Sequence, residues 1–253
     1  MNGKREFVWT AVGGIDTSAY SGVESDVRYG TMHGCTVLPV VSAITSQSTD
    51  KILHIQPTNP EIFRESLEIT LNLDSKVLKS AMLCNHKLAI ELYEFLNSND
   101  NIFYILDPVF KSTSGTWLID HKGINVIKES LIIRADLIIP NRFELELLTG
   151  IKILSKNNFI KAGLTVAEKS RGRRVLLKGG HFNTESNIVT DIFIENGKIY
   201  EFTHSREEGV WRGRGTCLSA SISSLICKGL SPVEAIKKAI EFCSNKKFFY
   251  RIK

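Results

Sequence analysis

At 253 residues, with 43% hydrophobic side chains, the chain buries enough apolar surface to fold without disulfide or metal staples, and one domain over 1–253 is expected. Its net charge of +5, from 32 Lys and Arg against 27 Asp and Glu, suits anionic small ligands; without zinc-finger spacing, an aromatic RNA-binding strand or a dense basic run, nucleic acid is not an expected partner. No segment approaches the ~18 uncharged apolar residues of a membrane span, the start MNGKREFVWTAVGG lacks a signal-peptide core, and five scattered cysteines read as reduced thiols of a cytoplasmic protein.

The first predicted element is a strand over Arg5 to Val12, ended by Gly13 and Gly14, after which Val23, Val27 and Thr31 recur at helical spacing. Cys35 to Ile44 is an apolar run. Pro60 to Asn72 reads as helix, Lys76 to Leu83 as strand, Lys87 to Leu96 as helix and Ile102 to Leu106 as a buried strand stopped at Asp107-Pro108. A loop with Ser112, Ser114 and Gly115 precedes a helix from Lys122 to Glu129, a strand from Leu137 to Ile139 stopped by Pro140, and a short helix from Arg142 to Leu148. Arg174 to Leu177 is a strand running into Lys178-Gly179-Gly180. Ile188 to Ile194 and Lys198 to Phe202 flank Glu195-Asn196-Gly197, whose Asn-Gly pair favours a type I′ hairpin turn. Two helices close the chain, Thr216 to Cys227 and one that starts at Ser231 with a Ser cap and Pro232 in its first turn. Apolar strands alternating with helices predict a mostly parallel sheet covered on both faces, a three-layer α/β/α fold.

In such folds ligands gather at the carboxyl ends of strands. That is where the unusual residues fall: Gly13 to Asp16, Gln47, Met82, Asp107, Asn141 to Glu144, Lys178 to His181 and the segment 213–217. Each alone is an ordinary turn residue; together they suggest one crevice. The junction GRGTCLSA, 213–220, is built to hold an anion, because a helix start presents N–H groups without helical acceptors and Gly213 and Gly215 let backbone approach closely. Arg212 and Arg214 add positive charge. No G-x-x-x-x-G-K-[ST] or G-x-G-x-x-G follows the first strand, so neither a P-loop nor a dinucleotide fingerprint is present.

The ordered set VGGIDTSAYSGVESD, TSQST, AML, DPV, STSG, PNRFELELLTG, LLKGGH and GRGTCLSA resembles the hydroxymethylpyrimidine/phosphomethylpyrimidine kinases of thiamine synthesis. These are ribokinase-like kinases, a group that also includes pyridoxal kinases. The resemblance spans residues 7–245 and implies a ribokinase-like α/β/α fold, ATP and Mg²⁺ as cofactors, a pyrimidine alcohol or its monophosphate as substrate, and a cytosolic homodimer. It further implies that Gly14, Asp26, Gln47 and Met82 surround the pyrimidine and that Asp107 and Glu144 serve the metal. Asn141, Lys178 and Arg214 would face the nucleotide phosphates, and Gly213, Gly215 and Thr216 would form the anion hole.

The sequence departs from the family where the chemistry is most exposed. The usual G-T-G-C-T before L-S-A places a cysteine, the proposed proton acceptor, where Thr216 stands; Arg214 replaces threonine, and Cys217 follows one residue later, about 100° around the helix. Ala19 and Tyr20 replace small glycines and Thr113 replaces a loop lysine, changes expected to narrow the pocket or alter its specificity. Three readings stay open at this level: the pyrimidine kinase, a pyridoxal kinase, and a silent relative that binds pyrimidine or nucleotide without turnover.

Overall fold

The computed structural model describes residues 7–48, 51–181, 187–206, 210–244 and 250–252; the first two residues of the strand expected from Arg5 lie outside them. In chain order the elements are β1 (Phe7–Asp16), α1 (Gly22–Met32), β2 (Cys35–Gln47), β3 (Ile52–Pro57), α2 (Pro60–Asn72), β4 (Val77–Ser80), α3 (His86–Ser98) and β5 (Phe103–Leu106). α4 (His121–Val126) continues through a π-type turn, Ile127–Leu131, into α5 (Ile132–Arg134). There follow β6 (Leu137–Ile138), α6 (Arg142–Thr149), α7 (Lys156–Lys169), β7 (Arg174–Leu177), β8 (Ile188–Glu195), β9 (Lys198–Ser205), β10 (Val210–Arg212), α8 (Arg214–Cys227), α9 (Pro232–Cys243) and β11 (Tyr250–Ile252).

Among the described residues the main sheet has nine strands in the order β3-β2-β1-β4-β5-β6-β7-β8-β9. The strands from β2 to β7 are parallel, whereas β3, β8 and β9 add antiparallel edges. The period of two along each strand sorts the core into two layers. On β5, Tyr104 and Leu106 join the side covered by α2, α3, α4, α6 and α7, while Ile105 joins the side covered by α1, α8 and α9. This is the three-layer α/β/α arrangement that the alternation predicts.

Local signals explain most boundaries. Asn59 caps α2, its side chain accepting from the Glu61 and Ile62 N–H groups ahead of Pro60. Ser231 and Glu234 close a capping box before Pro232 in α9. Asn196 and Gly197 have φ of 50° and 79°, as the type I′ turn between β8 and β9 requires.

Several expectations need correction. β1 is not ended by Gly13 and Gly14 but runs through them to Asp16, with the pairing to β2 shifting register between the two glycines. α8 begins at Arg214, two residues before the expected Thr216, because Gly213 takes the N-cap with φ of 88°. β3 and α7 are elements the residue pattern does not reveal. β3 is a half-exposed edge strand without clear alternation, and the packed face of α7 relies on Ala162, Gly163 and Ala167, which give a weak apolar signal.

Candidate active site

The chain turns from β3 to β4, on the other side of β1, so a crevice opens where β1 and β4 end and the sheet changes winding direction. A cavity of about 580 Å³ occupies this end of the sheet. The twelve residues to which the resemblance gives a site role all line it: Gly14, Asp26, Gln47, Met82, Asp107, Asn141, Glu144, Lys178, Gly213, Arg214, Gly215 and Thr216. They come from the ends of β1, β2, β4, β5, β6 and β7 and from the starts of α1, α6 and α8. Ala19 and Tyr20 do not line it. The expected narrowing by these two residues is therefore not what the structure shows: Ala19 is exposed in a left-handed conformation, φ 56°, and the Tyr20 carbonyl instead packs against Gly213.

One wall carries a charge cluster. Lys178, just past β7, places Nζ 2.9 Å from Asp107 Oδ1 and 3.6 Å from Glu144 Oε2. Glu144 is fixed by a reciprocal cap: its carboxylate accepts the Asn141 N–H at 2.7 Å, and Asn141 Oδ1 accepts the Glu144 N–H at 2.9 Å. PNRFE thus positions a carboxylate while it starts a helix. Burial pushes Glu144 up to about 7, Lys178 opposing and Asp107 reinforcing the shift. Burial works against the Lys178 ammonium, yet Asp107 and Glu144 outweigh it and raise its pKa above the ordinary lysine value.

The floor holds a second pair that the sequence reading missed. Lys79 donates to both oxygens of Asp26, at 2.7 and 2.9 Å, and each side chain is 1% exposed. Burial, opposed by Lys79, pushes Asp26 up to about 6. A lysine inside the short apolar strand VLKS was the available signal, since buried lysines are rare unless paired. Nearby, Asp16 accepts from the backbone and hydroxyl of both Ser18 and Ser21, which folds the 16–21 loop around one carboxylate. A Cβ on Gly14 would lie 2.9 Å from Met82 Sδ, so a side chain there would require the Met82 thioether to shift. Gln47 holds the Thr17 hydroxyl through its own backbone.

Two more lining groups escaped the sequence reading. Asp191, on β8, accepts the Gly179 N–H at 2.7 Å and faces His204 Nε2 at 3.3 Å. That hydrogen bond, against the effect of burial, raises the His204 pKa. The charged residue inside the apolar run IVTDIFIE was its signal.

The last wall is the start of α8. Gly213 is required there twice over: its φ of 88° is left-handed, and a Cβ would stand 2.2 Å from the Tyr20 carbonyl oxygen. Gly215 and Thr216 follow in the first turn and line the cavity. Cys217 does not. It is fully buried, with Sγ 3.1 Å from Cys243 Sγ, so it offers no thiol in place of the one missing at Thr216. Arg212 lines the cavity while donating to the Ser48 carbonyl at 2.9 Å.

Among the described residues no three His, Cys, Asp or Glu side chains are arranged to hold a metal ion. The donor set nevertheless fits Mg²⁺, which protein sites commonly hold through one or two carboxylates, with waters and substrate phosphates completing the shell. Asp107 and Glu144 supply such a pair.

The phosphomethylpyrimidine kinase family profile matches residues 16–247. A hydroxymethylpyrimidine/phosphomethylpyrimidine kinase of Aquifex aeolicus is 32% identical over 237 residues, covering 93% of this chain and 92% of that protein. The crystal structure of phosphomethylpyrimidine kinase from Clostridium difficile 630 superimposes with a TM-score of 0.83 at 25% identity, over 94% of this chain and 97% of the other. Pyridoxal kinase from Staphylococcus aureus in complex with AMP-PCP and pyridoxal reaches a TM-score of 0.84 at 21% identity, over 96% and 87% of the two chains, and shares the ribokinase-like fold. By profile, sequence and structure alike, the chain belongs to the phosphomethylpyrimidine kinase family.

Proposed function

We propose that this protein transfers the γ-phosphoryl group of ATP to 4-amino-5-hydroxymethyl-2-methylpyrimidine or, preferentially, to its monophosphate, in thiamine biosynthesis or salvage. The observation that carries this is the convergence of Lys178, Asp107 and Glu144 on the same cavity into which the α8 N-terminus opens. Phosphoryl transfer needs positioning and charge stabilisation more than covalent help from the protein. Lys178 neutralises phosphate oxygens, Asp107 and Glu144 hold Mg²⁺, and Asn141 fixes the Glu144 carboxylate. Mg²⁺, when bound, withdraws charge from the transferring phosphate. The first-turn N–H groups of α8 receive the developing negative charge at Gly213 to Thr216, with Arg214 beside them.

Gly14, Gln47 and Met82 form the pyrimidine side of the cavity. Asp26, held on both oxygens by Lys79, contributes there as a fixed ion pair. With this activity go a cytosolic location and assembly as a homodimer.

A coupled ADP-release assay over the pyrimidine alcohol, its monophosphate and pyridoxal, with and without Mg²⁺, tests this. Turnover of either pyrimidine acceptor, dependent on Mg²⁺ and lost in Lys178→Met, is the expected result. Turnover of pyridoxal alone would reassign the substrate. Tight binding of the pyrimidine without any turnover would make the protein a silent binder, the outcome that Thr216 leaves room for.

A further inference from the structure

The cations that line the cavity differ in how they are held. Lys79 and Lys178 sit against carboxylates, and Arg206 and Arg212 donate to the carbonyls of Gly180 and Ser48. Lys111 is different. Its loop joins β5 to α4 and is closed by a bridge between Lys111 and Trp117 and by the Leu118 N–H bonded to the Phe110 carbonyl. Its Nζ stands 4.1 Å from the ring centre of Trp117 and 4.9 Å from that of Phe143. Among the described residues no carboxylate lies within ion-pair distance of it.

Trp117 and Phe143 are both more than a third exposed, at 42% and 38%, so the cation rests on rings at the cavity rim and not in the core. Lys111 itself lines the cavity, four residues beyond Asp107. An ammonium over aromatic faces is held weakly in water, and a phosphate oxygen is a much stronger partner for it. Two flat rings beside the cavity therefore form a resting place from which a flexible four-carbon stem can be drawn.

We propose that Lys111 is a phosphate-binding residue of this site, which leaves Trp117 and Phe143 when a phosphate enters the cavity and pairs with one of its oxygens. It rests on the kinase reading in requiring phosphate-bearing ligands, which are the nucleotide or the pyrimidine monophosphate. No bond is made or broken in this step.

Titration calorimetry with AMP-PCP and Mg²⁺, with the pyrimidine monophosphate and with the unphosphorylated pyrimidine separates the possibilities in wild type, Lys111→Met and Trp117→Leu. Lys111→Met should weaken one or both phosphorylated ligands about tenfold or more, and leave the unphosphorylated pyrimidine unchanged. The ligand that weakens identifies the source of the phosphate. Trp117→Leu should retain phosphate affinity, because the ring is only the resting place, whereas a purely structural contact would make the two variants behave alike. The emission of Trp117, assigned by its absence from Trp117→Phe, should change on adding the same ligand in wild type but not in Lys111→Met. Unchanged affinity for both phosphorylated ligands in Lys111→Met, with wild-type turnover intact, would overturn the role of Lys111 and leave the kinase standing. Lys111-dependent phosphate binding without turnover would do the reverse.

Discussion

Thr216 stands at the cavity with the side chain that a proton acceptor would need to occupy, and a threonine hydroxyl is a poor base at neutral pH. Backbone donors of the same turn are indifferent to that exchange. An alcohol acceptor must lose its proton as the new bond forms, whereas a monophosphate, with a second pKa near ~6, already presents an anionic oxygen. Wild type should therefore show a higher kcat/KM for the monophosphate than for the alcohol. Thr216→Cys should raise the alcohol reaction, by up to ~10²–10⁴-fold if general-base catalysis is fully restored, with little effect on the monophosphate. Equal use of both acceptors by wild type contradicts this. A second residue, Glu24, accepts the Asp16 N–H, and burial pushes its carboxyl from 4.5 up to about 7. The folded state thus holds the proton more tightly than the unfolded chain. That contribution is complete below 4.5 and is lost as pH rises through about 7. Between about pH 5 and about pH 8 the wild-type Tm should fall relative to that of Glu24→Gln, and parallel Tm curves would remove the assignment.

Secondary-structure elements are tied together across the site by charge. Lys79 of β4 and Asp26 of α1 form a pair with almost no solvent exposure. Lys79→Met leaves a buried carboxylate alone and should cost about 3–5 kcal/mol in denaturant unfolding, with much of the loss recovered by adding Asp26→Asn. Additive losses in the double variant would show that the pair is not coupled. At the junction of β10 and α8, Gly213→Ala combines a left-handed φ with a clash against the Tyr20 backbone, which cannot swing away like a side chain. About 1–3 kcal/mol of strain is expected there, accompanied by a loss of kcat, because the same turn frames the anion hole. Unaltered stability and turnover would place the tolerance of this turn elsewhere. Helix boundaries were readable at the caps Asn59, Asn141 and Ser231, whereas α7 was missed despite its Ser155 cap, because small residues make up much of its packed face.

The whole molecule gathers its cavity from strand ends spread over most of the chain, so ligand binding should stabilise the fold globally. Mg²⁺ with AMP-PCP at about 100 times Kd should raise unfolding stability by about 2.7 kcal/mol, seen as a Tm shift. EDTA should abolish the nucleotide-dependent shift while sparing the shift caused by the pyrimidine. The opposite pattern would move the metal away from Asp107 and Glu144.

By itself the sequence determined the alternation of strands and helices, the ordered motifs at strand ends and the departures at Ala19, Thr113, Arg214 and Thr216, because periodicity, caps and turn residues act over short distances. Only the tertiary structure decided that Asp26 is paired with Lys79, that Cys217 faces Cys243 and not the cavity, that Ala19 and Tyr20 stand off the cavity wall, and that Lys111 rests on Trp117 and Phe143. Those facts depend on the register of parallel strands and on the entry angle of α8, both set by packing between residues distant in the chain, and no local pattern encodes them.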